Sequence, residues 1–376
     1  MNFLTKLSVG FAVFTAAMTV LFYASVDVRH TLCFAANLGY LDWMGNEFLD
    51  SATKCMAETS TYYLKRDFQA GQGKRLPIAE MDCSKGEITF ETIREGTQDF
   101  TRPFVCRGLL KDNKCRDWTL DYFREKSTDE DFFRVQLLDV VEGNRRSFMR
   151  HTYPQFQVNA SETYNKLSRG EQIYVSFDNY FIRDHPDFLS DLNLAQYFPE
   201  VKWILHTLFI SNFSVSTMGS PFHAAPNDNF FFQCLGRKHW FFVSPHELKY
   251  TSAYVANGVT FVSNHIDENL IVDRIPMYET IVEEGDMMYN PPYWLHAVGT
   301  VPGLTVSIAN RAWREIIPKN TNYYYDAMYK LGFPAFASSV IWQKVVSKFS
   351  RITSLTLQDS LKATVLNGGA LKVVEN

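Results

Sequence analysis

The residues that could carry chemistry lie in two segments of the chain. Residues 219–240 read GSPFHAAPNDNFFFQCLGRKHW, and residues 285–296 read GDMMYNPPYWLH. Their histidine, lysine, serine and asparagine side chains can ligate a metal or hydrogen-bond to an anion. The chain has no GxSxG elbow with a Ser/His/Asp order, no glycine-rich phosphate loop, and no CxxC pair or Cys/His zinc spacing. Any chemistry is therefore expected in these two segments.

From residue 202 onward the chain consists of short β-rich runs that must position the two segments. Glycine, proline or asparagine separates one run from the next, a pattern typical of an all-β sandwich or barrel. The composition, 46% hydrophobic and 15% aromatic, indicates a globular body. We therefore predict a mainly β fold with flanking helices. The runs are residues 203–211, 229–235, 239–243, 286–289 and 304–309.

At these residues the sequence resembles the JmjC family of iron(II)- and 2-oxoglutarate-dependent oxygenases, in particular its small cupin-type hydroxylases. The most specific matches are the run from His223 to Trp240 and the run from Gly285 to His296. The resemblance implies a JmjC-like cupin domain at residues 96–315, with a double-stranded β-helix (jelly-roll) barrel over roughly 200–312. We expect the imidazoles of His223 and His296 to point inward, about 4–5 Å apart, because nitrogen ligands lie near 2 Å from a metal.

The family chemistry assigns roles to several residues. Iron(II) is held by two histidines and one carboxylate, which leaves positions for 2-oxoglutarate and oxygen. By resemblance, His223 and His296 are the two metal ligands. Lys238, fifteen residues after His223, matches the lysine that pairs with the far carboxylate of 2-oxoglutarate. This role is physically reasonable because either charge alone is costly to bury. The other matches to cofactor-binding residues are Ser220, Asn229, Asn310 and Tyr174.

The sequence departs from the family pattern at Ala225, which stands in the place of the carboxylate ligand. An alanine methyl cannot bind a metal. Asp228 does not repair the defect, because an aspartate is ordinary at that place in the family without being a ligand. The neutral amide of Asn229 is a poor substitute for a carboxylate on iron(II). The implied cofactors, iron(II) and 2-oxoglutarate, are both put in question by this substitution.

Three interpretations remain open. In the favoured one, the protein is a degenerate oxygenase that binds a partner or 2-oxoglutarate without turnover, so that no catalytic residue is assigned. In the second, it is an active hydroxylase of a protein or small molecule, with its two-histidine site completed by water, Asn229 or the substrate. In the third, it is a halogenase with a halide in the position of the missing ligand.

The strongest organisational signal lies at the N-terminus. Residues 7–26 form a run of twenty residues without a charge. About 20 apolar residues span a bilayer core, whereas the apolar part of a signal peptide has about 7–15. We therefore predict that residues 1–30 hold one transmembrane helix that anchors a single-pass protein, with its body in the lumen of the secretory pathway (ER or Golgi). A cleaved signal peptide or another targeting sequence is the alternative.

Two acceptor patterns for N-glycosylation bear on this topology. They are Asn159-Ala-Ser161 and Asn212-Phe-Ser214. Asn212 is expected at the end of a barrel strand, where no glycan fits. Asn159 is therefore the candidate that would make this chain a glycoprotein.

The six cysteines are an even number, which an oxidising lumen would allow to pair. Cys106 with Cys115, and Cys55 with Cys83, are the pairs that we expect. Cys234 lies in a predicted core strand and is expected to be a buried free thiol.

The remaining segments are expected to support the barrel. Residues 31–95 are interpreted as a short helical region packed on its edge, and residues 316–376 as C-terminal helices and a tail. Ile341, Val345, Phe349 and Ile352 recur at helical spacing, which predicts a helix that covers the barrel or, alternatively, forms a homodimer. A net charge of -4 without a dense Lys/Arg block argues against nucleic acid as the main partner.

Overall fold

The structure is a computed structural model. The predicted C-terminal helices and dimer contact at 316–376, and residues 7–14, 17 and 21 of the predicted membrane segment, lie outside the described residues. The structure describes residues 15–16, 18–20, 22–36, 46–85, 88–137, 155–225, 227–256, 259–262 and 265–312.

Two β-sheets form the centre of the molecule. The first five strands are β1 (Arg75–Pro77), β2 (Ala79–Asp82), β3 (Phe104–Arg107), β4 (Phe132–Leu137) and β5 (Gln155–Asn159). The next five are β6 (Ile173–Asp178), β7 (Trp203–Phe213), β8 (Thr217–Ala224), β9 (Asp228–Leu235) and β10 (Lys238–Val243). The last six are β11 (Ala253–Ala256), β12 (Val259–Val262), β13 (Met277–Val282), β14 (Met287–Asn290), β15 (Leu295–Thr300) and β16 (Gly303–Ala312).

Helices flank these sheets. Short 3-10 helices at Lys114–Asp117 and Pro245–Tyr250 accompany them. The α-helices are α1 (Val26–Ala36), α2 (Asn46–Asp67), α3 (Phe90–Gly96), α4 (Leu120–Lys126), α5 (Ala160–Ser168), α6 (Tyr180–Asp184), α7 (Asp187–Leu192), α8 (Leu194–Tyr197) and α9 (Glu268–Arg274).

The strands pair as a double-stranded β-helix. One sheet has the order β1-β13-β10-β15-β8-β12-β11, and the other has the order β2-β3-β14-β9-β16-β7-β6-β4-β5. Consecutive strands such as β8 and β9 lie in different sheets, so the chain crosses between the sheets as it winds around the barrel. The mainly β cupin-like fold with flanking helices that the sequence predicted is therefore confirmed.

The pleat of β9 explains the run of three phenylalanines in the middle of the sequence. Phe231 belongs to the core between the two sheets, whereas Phe230 and Phe232 belong to the core under the helices of the larger sheet. Successive side chains of a strand point to opposite faces, so a strand covered on both faces is apolar throughout. The same alternation gives the barrel an interior wall that includes Trp240 and Phe242 of β10.

Residues 31–95 contribute more than helical packing. Helix α2 lies over the outer face of the seven-stranded sheet, where Met56 and Leu64 are buried. Beyond α2, β1 pairs in parallel with β13, and β2 pairs in parallel with β3, so this region adds an edge strand to each sheet. With three and four residues, these edge strands are short, which limits the pairing of a sheet with other chains.

The described end of the predicted membrane segment contacts the body of the protein. Phe22 and Val26 are partly buried against the core on the outer face of the seven-stranded sheet, whereas Val20 and Tyr23 are exposed. None of the helices formed by the described residues is both long enough and apolar enough to cross a bilayer.

The expected cysteine pairs are wrong. Cys33 is bonded to Cys55, which ties α1 to α2, and Cys83 is bonded to Cys106, which ties the end of β2 to β3. The parallel pairing of β2 with β3 brings Cys83 beside Cys106, an arrangement that sequence spacing does not reveal. Cys115 and Cys234 are buried free thiols, as was predicted for Cys234 alone.

These bonds predict the result of disulfide mapping. Non-reducing digestion and mass spectrometry should recover Cys33–Cys55 and Cys83–Cys106, with Cys115 and Cys234 alkylated only after denaturation. Each bond closes a loop of moderate length, so its removal should lower the free energy of unfolding by about 3 kcal/mol. Recovery of a Cys106–Cys115 peptide would contradict the assignment.

Candidate functional site

A cavity opens between the two sheets inside the barrel. Six of the lining side chains are apolar and come from both sheets, so the site is largely screened from water. The lining consists of Tyr174, Phe177, Phe209, Ser220, His223, Asn229, Phe231, Lys238, Trp240, His296, Val298, Ala309 and Arg311.

The histidines come together through the pairing of β8 with β15. His223 is the register partner of His296, and the centroids of the two imidazoles are 4.2 Å apart inside the barrel. Each Nδ1 contacts the carbonyl oxygen two residues earlier in the chain, that of Pro221 at 2.8 Å and that of Trp294 at 3.0 Å. A histidine whose Nδ1–H donates to a carbonyl presents Nε2 to the opposite side, as metal-binding histidines do. The spacing is the one that the sequence predicted.

Both imidazoles are neutral near pH 7. Burial lowers the pKa of His223 to about 4. Burial also lowers the pKa of His296 well below its usual value, and the neighbouring His223 lowers it further. The positive charge of Arg311 contributes in the same direction at both rings. A neutral imidazole is the form that binds a metal.

The third ligand position does not fit iron(II). Ala225 follows the last residue of β8 and is buried, but it is not among the residues that line the cavity. Its carbonyl accepts a hydrogen bond of 2.9 Å from the N–H of Tyr293, a residue held at a φ of 61°. The described part of the chain holds no cluster of three or more His, Cys, Asp or Glu side chains that could bind a metal. The residues present thus supply two of the three expected protein ligands.

Lys238 is fully buried at the start of β10. Its Nζ donates a hydrogen bond of 3.1 Å to the hydroxyl of Tyr174 and lies 4.8 Å from the centre of that ring. Among the described residues, no carboxylate forms an ion pair with it, and burial lowers the pKa of Lys238 to about 7. Ser220 also lines the cavity. Lys238, Tyr174 and Ser220, called the cradle below, thus line one cavity and offer an amine and two hydroxyls, groups that can hydrogen-bond to a carboxylate.

The two predicted asparagines differ in their placement. Asn229 lines the cavity, and its buried Oδ1 has no hydrogen-bond partner among the described residues. Asn310 does not line the cavity: its Oδ1 lies 2.9 Å from Nδ1 of His206, and its Nδ2 donates to the carbonyl of Phe230. Asn310 therefore supports the wall instead of facing the ligand space.

Arg311 is the residue that the sequence analysis missed. It lines the cavity, is 7% exposed, and its Nη1 donates a hydrogen bond of 3.1 Å to Oδ1 of Asn227. Neighbouring side chains of a strand point to opposite faces. Because Asn310 was assigned to the cavity, its neighbour Arg311 was expected to point away from the cavity. An arginine at the end of the apolar run of β16 is the signal that could have revealed it.

Trp240 brings one polar group, its indole N–H, into the wall of the cavity. Its ring stacks on His296 with centroids 5.4 Å apart, and in the described part of the chain its buried Nε1–H has no hydrogen-bond partner. The sequence analysis used Trp240 only as part of the family resemblance. An unpaired donor in a cavity costs free energy unless a ligand or water accepts from it.

The fold and the site define a cupin, and the chain belongs to the cupin-like domain family, whose sequence model matches residues 95–329. Two tRNA wybutosine-synthesizing proteins 5 are similar to it. The mouse (Mus musculus) protein is 25% identical over 245 residues, which cover 60% of this chain and 74% of that protein. The human (Homo sapiens) protein is 22% identical over 247 residues, covering 60% and 75%. The resemblance to JmjC-type cupins is therefore confirmed.

The buried ammonium predicts a specific pH dependence. Between pH 7 and 10.5 the unfolded chain holds the Lys238 proton and the folded chain does not, so the free energy of unfolding rises with pH across this window. Lys238→Met should remove this rise and should stabilise the unliganded protein near pH 7 by a few kcal/mol. Urea unfolding at several pH values measures both effects.

The control variant is Lys65→Met, on the exposed face of α2. It should keep the wild-type slope of stability against pH. If Lys238→Met keeps that slope as well, Lys238 is charged in the folded protein and the description of the cradle is wrong.

Proposed function

We propose that this protein is a degenerate 2-oxoglutarate oxygenase: a binding or regulatory protein that holds a small carboxylate of the 2-oxoglutarate type and carries out no oxidation. The observation that carries the proposal is the buried Lys238, which has a hydroxyl partner in Tyr174 but no ion-pair partner among the described residues. It lies in a cavity that has two histidines and, within the part of the chain that the structure describes, no third metal ligand.

The electrostatics of Lys238 support carboxylate binding. A buried ammonium without a counter-charge is unfavourable by several kcal/mol, which the lowered pKa of Lys238 expresses. A ligand carboxylate would restore the charged form and accept hydrogen bonds from Nζ and from the hydroxyls of Tyr174 and Ser220. Charge-assisted hydrogen bonds of this kind are among the strongest in proteins.

The loss of the carboxylate ligand at Ala225 supports the absence of oxidation. Iron(II) in the related oxygenases needs an anionic ligand beside two histidines, and Ala225 offers only a methyl group. The neutral histidine pair, with each Nδ1 held on a carbonyl, is the observation that favours the second candidate, an active hydroxylase with an incomplete site. In the halogenase alternative, a halide fills the same gap.

The names of the two similar proteins refer to tRNA. We propose a small molecule instead of a nucleic acid as the ligand of this chain. Its net charge of -4 offers no general attraction for phosphates, and the cations of the cavity are buried.

For the cellular location we propose a single-pass membrane protein whose body lies in the lumen of the secretory pathway. The uncharged run at residues 7–26 supports an anchor, and the bonds Cys33–Cys55 and Cys83–Cys106 suit an oxidising compartment. Asn159 is the proposed glycan acceptor. It caps α5, with Oδ1 accepting from the N–H of Ser161 at 2.9 Å and Nδ2 donating to the carbonyl of Asp129.

Glycosidase treatment tests this topology. The apparent mass of the chain, expressed with its N-terminal segment in secretory cells, should fall after treatment. Asn159→Asp should abolish the shift and preserve the helix, because aspartate is as good an N-cap as asparagine. A chain whose mass does not change would contradict a lumenal body.

Restoring the missing ligand tests the degenerate site. Ala225→Asp places a carboxylate two residues after His223, directly beyond the end of β8. The affinity for iron(II), measured by anaerobic titration, should rise by a large factor, because an anionic ligand on a divalent ion is worth several kcal/mol in a poorly solvated site. Lys238→Ala in this background should abolish 2-oxoglutarate binding and leave metal binding intact.

Consumption of 2-oxoglutarate by the unmodified protein discriminates among the three candidate functions. The proposal expects no iron-dependent consumption of 2-oxoglutarate by the parent. Consumption without chloride dependence would establish the hydroxylase instead. Chloride-dependent turnover that is lost in Ala225→Asp would establish the halogenase.

A further inference from the structure

Arg311 and Lys238 are two buried basic side chains in one cavity. Among the described residues, no Asp or Glu side chain lines that cavity. The only hydrogen bond of Arg311 to a described side chain goes to the neutral amide of Asn227, which does not compensate its charge. Retaining two such cations in a protein interior is costly unless an anion neutralises them.

The strand register separates the two cations along the barrel. Lys238 pairs with Thr300 on β15, four residues from His296, which corresponds to roughly 13 Å along the strand. Arg311 pairs with Asn229 on β9, and Asn229 in turn pairs with Asn290 at the end of β14. Nδ2 of Asn290 lies 3.1 Å from Nδ1 of His296, so Arg311 belongs to the histidine end of the cavity and Lys238 to the other.

Two polar atoms of the cavity wall, Nε1–H of Trp240 and Oδ1 of Asn229, are buried without a hydrogen-bond partner among the described residues. Trp240 stacks on His296 and also belongs to the strand that begins with Lys238. Both atoms need a polar ligand or water that the protein itself does not supply.

The charge of Arg311 also opposes a metal. A guanidinium near two neutral imidazoles, without an anionic ligand to offset it, repels a divalent cation from the position that the histidines would coordinate. In a complete site of the family, the metal is the positive group at one end of the cavity and the lysine is the positive group at the other. Here the positive group at the histidine end is the guanidinium of Arg311.

We infer that this cavity is a metal-independent site for a small α,ω-dicarboxylate, with one carboxylate on Lys238 and the other on Arg311 in place of the metal. This inference rests on the proposed function and names the ligand class: a dianion that bridges both ends, such as 2-oxoglutarate or glutarate. A monocarboxylate of the same length leaves one buried cation unpaired and binds more weakly.

Isothermal titration calorimetry of the full chain at pH 7 tests the inference. In EDTA, 2-oxoglutarate and glutarate should bind at least tenfold more tightly than pentanoate, the matched monocarboxylate. Anaerobic iron(II) should change the dissociation constant by less than about twofold. Arg311→Gln should abolish the preference for dicarboxylate over pentanoate, Arg311→Lys should retain most of it, and Lys238→Met should weaken all three ligands.

Stability distinguishes a binding role of Arg311 from a structural one. Arg311→Gln removes a buried charge without a counter-ion, so the unliganded variant should melt at the wild-type temperature or above it. A structural role would lower the melting temperature and leave the ligand preference unchanged.

The outcomes separate the inference from the proposal on which it rests. Dicarboxylate binding that needs added iron(II), or that persists in Arg311→Gln, overturns the inference and leaves carboxylate binding at Lys238 in place. Failure of every carboxylate to bind, with or without metal, overturns both.

Discussion

Lys238 and Arg311 are buried without a carboxylate partner among the described residues, and this constraint decides what the rest of the structure can bind. Each side chain is almost completely removed from water, and its hydrogen-bond partner in the described part of the chain is neutral. Protein interiors tolerate such charges where an opposite charge pairs with them. The same two residues therefore destabilise the unliganded barrel and define what the barrel can bind.

The scaffold can sustain this cost because the barrel is covered on both sides. Helices α3 to α8 pack on the nine-stranded sheet, and α1, α2 and α9 on the seven-stranded sheet. The disulfides Cys33–Cys55 and Cys83–Cys106 restrain the N-terminal elements that complete the sheet edges. Because the layers around the barrel supply the stability, the residues of its interior can serve ligand binding.

Much of the fold and half of the site were predictable from the sequence. Short β-rich runs and the two motif segments are local signals, so the cupin barrel and the proximity of His223 and His296 followed from them. The cradle of Lys238, Tyr174 and Ser220 came from family resemblance, since Tyr174 lies far away in sequence and only the pairing of β6 with β7 brings it inward.

The remaining features depend on register and long-range pairing, which a single sequence does not encode locally. Arg311 lies on the same face of β16 as Ala309 and lines the cavity, but the face of β16 that points inward was assigned through Asn310 and was therefore the wrong one. The partner of Cys106 is set by the parallel pairing of β2 with β3. Asn310 was assigned to the cavity but hydrogen-bonds to His206 in the wall.

A crystal structure of the protein grown with 2-oxoglutarate and EDTA tests the central claim most directly. The account predicts one carboxylate on Nζ of Lys238 and the hydroxyl of Tyr174, the second on the guanidinium of Arg311, and no metal between His223 and His296. A metal on the two histidines that chelates the ligand, or a dicarboxylate that leaves Arg311 without contact, would contradict it.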